Sequence, residues 1–229
     1  MPRRLATAMT SIALAALALT GCSTNYGPGG SDGSGGSGFE VDAAWLAGGS
    51  LIAVVTDGSS SCTPFVDDVV EDDGVIVVSL TERTDEQQAC TDDLIKRGTI
   101  IGLPEGVQPG TGIDLQVTLD GEFAETSLEA YTGAAVEDYA PSAGWVDDGV
   151  LAILTWGSSS CAPAVESTDV ESSTSIVVTF VTAPADQVCT MDMAPRVAIA
   201  TIEGDVSADA TVKLAGGDGS LPGATIPIA

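Results

Sequence analysis

The feature that most constrains this chain is a duplication marked by its cysteines. Cys62 and Cys90 are 28 residues apart, and so are Cys161 and Cys189. The surrounding residues repeat too. AWLAGGSLIAVVTDGSSSCTP runs from Ala44, and GWVDDGVLAILTWGSSSCAP runs from Gly144. Each copy continues into a Val-rich stretch, VIVVSLTE from Val75 and SIVVTFVT from Ser175. Each then reaches its second cysteine in similar company, ACTDDL around Cys90 and VCTMDM around Cys189, followed by one arginine, Arg97 or Arg196. Self-similarity of this kind means one structural unit used twice.

Four cysteines can pair in three ways. Only Cys62–Cys90 with Cys161–Cys189 treats the copies alike without crossing between them. By the chain-entropy model, closing a loop of that length contributes roughly 3–4 kcal/mol. The chain has no histidine and neither copy has a close C-x-x-C pair, so these cysteines are expected to form bridges and no metal is expected.

The apolar runs are short, rich in Val, Ile and Thr, and bounded by Gly, Pro, Asp and Ser, which predicts strands. In the first copy they fall at Leu51–Thr56, Val66–Val70, Val75–Thr81, Thr99–Leu103 and Ile113–Leu119. In the second they fall at Val150–Trp156, Val165–Val170, Ile176–Val181, Val197–Ile202 and Thr211–Leu214. One helical turn is expected at Asp92–Lys96. The expected fold class is all-β: two tandem, small antiparallel β-sandwich-like domains, residues 41–137 and 138–229, each with one internal disulfide.

Ahead of these copies, Arg3 and Arg4 precede the apolar run Ser11–Leu19, which is too short to span a membrane, and Leu19-Thr20-Gly21-Cys22 follows. This order resembles the signal peptide and lipobox of bacterial lipoproteins. The resemblance implies removal of residues 1–21, lipid on Cys22 (diacylglyceryl, with palmitate as a typical acyl chain), and attachment to the outer face of the cell membrane. It also leaves an even number of cysteines for an oxidising compartment. Residues 22–40 continue as a Gly/Ser-rich tether. Together with GSSSC-x-P and C-T-x-D, the chain resembles exported lipoproteins of high-GC Gram-positive bacteria, a resemblance that carries no activity with it.

The chain has 7 basic and 33 acidic residues, a formal net charge of −26. Loss of Arg3 and Arg4 would leave the exported part more negative still. Such a surface repels phosphate backbones, so nucleic acid is not an expected partner. The motif Gly58-Ser59-Ser60-Ser61-Cys62 lacks the nucleophile-elbow pattern and has no histidine to act as base, so it is expected to be a turn whose hydroxyls bind backbone groups. No catalytic residue and no cofactor is expected. Asp93 and Asp192, in matched Thr-x-Asp positions, are candidate ligand contacts or turn residues paired with Arg97 and Arg196. The acidic run Asp67–Gly74 lacks the ligand order of a calcium loop. Trp45 and Trp145 are expected in the cores. Trp156 has no counterpart and is a candidate ligand-facing aromatic or an edge-packing one. The leading expectation is a non-enzymatic, lipid-anchored surface protein with an extracellular or cell-wall ligand. The alternatives are an inhibitor of exported proteases or hydrolases acting through the GSSSC loop, or a cation- or solute-binding accessory protein.

Overall fold

The computed structural model describes residues 39–82, 89–217 and 223–229. The leader, Cys22 and nearly all of the tether lie outside those residues. The first copy forms seven strands: β1 (Val41–Leu46), β2 (Leu51–Gly58), β3 (Phe65–Asp72), β4 (Val75–Thr81), β5 (Ile95–Gly102), β6 (Ile113–Leu119) and β7 (Glu122–Leu128). The second repeats them as β8 (Ser142–Asp147), β9 (Val150–Gly157), β10 (Val165–Ser172), β11 (Ser175–Phe180), β12 (Ala194–Thr201), β13 (Thr211–Gly216) and β14 (Thr225–Pro227). The all-β expectation holds, and β4 and β6 have the expected bounds. No helical turn forms at Asp92–Lys96. Ile95 and Lys96 instead begin β5, paired in register with Gly58 and Asp57 of β2.

Each copy contributes a three-stranded sheet and a four-stranded one. The orders are β1-β2-β5 and β3-β4-β6-β7, then β12-β9-β8 and β10-β11-β13-β14. Two features correct the expectation of tandem antiparallel sandwiches. First, β4 pairs with β6 in parallel, and β11 with β13 likewise. After β4 the chain passes through the disulfide loop, runs back as β5 in the other sheet, and so returns to its own sheet in its original direction. Second, the described residues of both copies belong to one compact unit. Its four sheets stack as a continuous β-solenoid-like series rather than two free-standing sandwiches.

The apolar pattern explains the stacking. Ile52 and Val54 of β2 face a core shared with Ile76, Val78, Leu115 and Val117 of the four-stranded sheet. Leu151 and Ile153 of β9 do the same with Ile176, Val178, Val212 and Leu214. Ala53 and Val55 of β2 face the other way, and so do Ala152 and Leu154 of β9. With Ala44 and Leu46 they make a third core between the copies. β2 and β9 are therefore buried on both faces, and neither copy could expose its three-stranded sheet without losing that core. The small residues on this face permit close approach. A Cβ on Gly144 would lie 2.4 Å from the Trp45 carbonyl oxygen.

Candidate functional site

Each copy carries the same stitched pair of loops. Cys62 is bridged to Cys90 and Cys161 to Cys189, with Cα–Cα distances of 5.6 and 5.7 Å. The bridge brings the serine loop against the Thr-x-Asp loop. Ser59 Oγ lies 2.8 Å from Thr91 Oγ1, and the Thr91 amide donates to Ser61 Oγ at 3.0 Å. Asp93 Oδ1 accepts from the Ser60 amide at 3.2 Å and from the Thr91 hydroxyl. The second copy repeats every element. Ser158 Oγ lies 2.8 Å from Thr190 Oγ1, the Thr190 amide donates to Ser160 Oγ at 3.0 Å, and Asp192 accepts from the Ser159 amide at 3.1 Å and from the Thr190 hydroxyl. The hydroxyl of Thr91, then the hydroxyl and amide of Ser60, pull the Asp93 carboxyl down to about 2. Thr190 and Ser159 do the same to Asp192, also to about 2. Hydrogen bonds donated to a carboxylate favour its charged form.

This geometry decides the use of the serines. A chain of Ser59, Thr91 and Asp93 superficially suggests a proton relay. Its middle member is a hydroxyl that cannot hold an extra proton near neutral pH, whereas an imidazole can. The hydroxyls instead satisfy one another and the backbone, as the turn reading expects.

Beneath each stitched pair lies a buried arginine, and here the copies differ. Arg97 donates to the carbonyls of Cys62 and Asp57 and pairs with Glu82 Oε1 at 2.5 Å. Its partner is therefore Glu82 and not Asp93, which corrects the expected Asp93–Arg97 pairing. Arg196 donates to the Cys161 carbonyl at 2.9 Å and the Trp156 carbonyl at 3.1 Å. Among the described residues it meets no carboxylate, while the Nε of both arginines is buried without a hydrogen-bond partner. Asp192 does not reach it either. Leu80 of β4 and Phe180 of β11 hold the same place opposite Val66 and Val165. Two residues on, Thr182 therefore stands where the first copy has Glu82. Glycine accommodates both guanidinium groups, since a Cβ on Gly58 would lie 2.3 Å from Arg97 Cζ and one on Gly157 would lie 2.8 Å from Arg196 Cζ.

Arg196 lines a cavity of about 230 Å³ beside the Cys161–Cys189 bridge, walled mainly by Pro163, Val181 and Pro184. A second, apolar crevice of about 220 Å³ lies where Trp45, Tyr131, Pro141 and Ile228 meet. Trp156 lines neither. Its indole donates to the Ala140 carbonyl at 3.2 Å, and its ring stands edge-on to Tyr139 at 5.1 Å, pinning the segment that joins the copies. Trp45 is buried in the first core and Trp145 packs against the second. Asp67–Asp72 lie on β3, and Asp73–Gly74 turn the hairpin into β4. No group of three metal-ligating side chains converges among the described residues.

Glu82 and the Arg196 cavity are the site elements that sequence reasoning missed. The available signal was the exchange of glutamate for threonine between VIVVSLTE and SIVVTFVT. The chain matches no protein-family model, no curated protein and no solved structure.

Proposed function

We propose that this protein is a non-enzymatic module, lipid-anchored to the outer face of the cell membrane, that presents two stitched loop pairs to an extracellular or wall-borne ligand. The observation that supports this most is the use of the cysteines. The two bridges consume Cys62, Cys90, Cys161 and Cys189, leaving Cys22 in Leu19-Thr20-Gly21-Cys22 as the one cysteine outside them. Disulfides persist in oxidising compartments. Two acyl chains on one cysteine would hold the chain stably, because each buried methylene contributes about 0.8 kcal/mol. The Gly/Ser tether then sets the folded part away from the headgroups.

An inhibitor acting through the GSSSC loop draws less support. The serine hydroxyls turn inward onto Thr91 and Thr190 instead of standing out toward a protease cleft.

Mass spectrometry of the membrane-extracted protein tests the reading. The expected result is an N-terminal peptide beginning at residue 22 with a diacylglyceryl mass increment, and release of the Cys22→Ser variant from membranes. An unmodified Cys22 on a chain retaining residues 1–21 would remove the anchor.

A further inference from the structure

We propose that the cleft beside Trp145 binds a small organic ammonium ion, held between the indole ring and the carboxylates of Asp148 and Asp205. The site lies apart from the stitched loops and from the membrane anchor, so failure of either idea leaves the other in place.

The cleft forms where Trp145 of β8, the β8–β9 turn, the β10–β11 turn and the β12–β13 loop meet. Backbone hydrogen bonds fix its walls before any ligand arrives. The Ile202 amide donates to the Gly149 carbonyl at 2.7 Å, and the Ser207 amide donates to the Ser173 carbonyl at 2.7 Å. The Trp145 indole N–H donates to the Ala208 carbonyl at 3.3 Å, which sets the orientation of the ring. β11 and β13 run parallel, with Ser175 against Thr211 at this end and Phe180 against Gly216 at the other. The length of those strands, about 20 Å, separates the cleft from the stitched loops and from the β13–β14 turn.

The lining selects the ligand. A volume of about 680 Å³ suits a small molecule. Buried Ile202 and half-buried Trp145 supply apolar surface, and Asp148 and Asp205 are exposed beside them. No lysine or arginine lines the cleft, and among the described residues neither aspartate belongs to an ion pair. A cation gains from the face of an indole more than from any other aromatic ring, and gains again from each carboxylate. An anion would meet two like charges. The net charge of −26 draws cations toward the surface. No group of three metal-ligating side chains converges among the described residues, so a bare metal ion finds too few ligands here. An ammonium ion with an apolar body uses both halves of the lining.

The first copy provides an internal control. Trp45 occupies the equivalent place but is 7% exposed. Its indole donates to the Glu129 carbonyl at 2.8 Å, and Tyr131 stands edge-on to it at 6.1 Å. Trp156 is engaged with Ala140 and Tyr139. A response to ligand is therefore expected at Trp145 alone.

The test is titration of the full chain, carrying Cys22→Ser to avoid lipidation, with choline chloride at constant ionic strength. The indole N–H resonances are followed by NMR. The control is the uncharged isostere of choline, with a tert-butyl group in place of the trimethylammonium. The expected result is a saturable shift of the Trp145 indole, unchanged Trp45 and Trp156, no response to the isostere, and affinity that falls as added salt screens the carboxylates. The Asp148→Asn, Asp205→Asn double variant is expected to weaken choline binding by about tenfold or more. Its melting temperature is expected to stay unchanged, because both side chains are exposed and asparagine suits the same turns. No saturable shift at Trp145, equal binding of the uncharged isostere, or choline binding undiminished in the double variant overturns the proposal.

Discussion

Asp93 and Asp192 show how a surface carboxylate becomes part of a turn. Each is exposed, yet each holds a backbone amide and a threonine hydroxyl, and each has its pKa pulled to about 2 from 3.8. A carboxyl depressed in the folded state stabilises fully above its unfolded pKa, and that contribution fades as pH falls through the folded value. Wild-type stability, measured by urea denaturation at successive pH values, is therefore expected to drop between about pH 4 and pH 2. The Asp93→Asn, Asp192→Asn double variant is expected to be less stable at neutral pH and flatter across that window. A parallel dependence in both proteins would show that these carboxylates do not hold the loops. The glycines under the arginines belong to the same scale. A methyl group at residue 58 meets the centre of a buried guanidinium, so Gly58→Ala is expected to cost roughly 1–3 kcal/mol in denaturant unfolding. Gly157→Ala, with a less severe approach of 2.8 Å, is expected to cost less.

Among the elements, β2 and β9 organise everything else. Their runs LIAVV and VLAIL are continuous rather than alternating. That pattern belongs to strands buried on both faces. Here one face builds the copy's own core and the other builds the core between copies. The close approach of β8 to β1 provides the test. Gly144→Ala places a methyl against the Trp45 carbonyl, which is backbone and cannot rotate away. A loss of roughly 1–3 kcal/mol is expected in thermal or urea unfolding. Glycine itself weakens a strand interior, so the penalty reflects this contact and not strand propensity. The hairpin turns follow plainer rules. Asp73-Gly74 and Asp120-Gly121 both have positive φ at each residue, 50° and 90°, then 52° and 87°. Asp-Gly supplies that geometry for a two-residue turn.

At the largest scale, the two copies are bound together by that middle core. Because Leu46, Val55, Ala152 and Leu154 are buried between the copies, unfolding one copy exposes apolar surface on the other. A single cooperative transition is expected, with Trp45 and Trp145 fluorescence melting together. Replacing Cys161 and Cys189 by serine is expected to lower stability by roughly 3–4 kcal/mol and to shift both tryptophan signals alike. Two separated transitions, with the first copy unaffected, would mean that the middle core couples the copies weakly.

Sequence alone determined the duplication, the bridge pairing, most strand positions and the turn role of the serine motif, because each of these is local or repeats at a fixed spacing. It left β1, β7, β8 and β14 unassigned, since short edge strands such as EFAETSL owe their conformation to a neighbour's hydrogen bonds more than to their own composition. Tertiary structure decided the parallel β4–β6 and β11–β13 pairs, the stacking of four sheets, and the partner of Arg97. Those depend on which residues meet after the chain has crossed between layers. Glu82 lies 15 residues from Arg97, and no spacing rule for an isolated strand connects them. The cavity at Arg196 likewise exists only once folding brings Pro163, Val181 and Pro184 together around it.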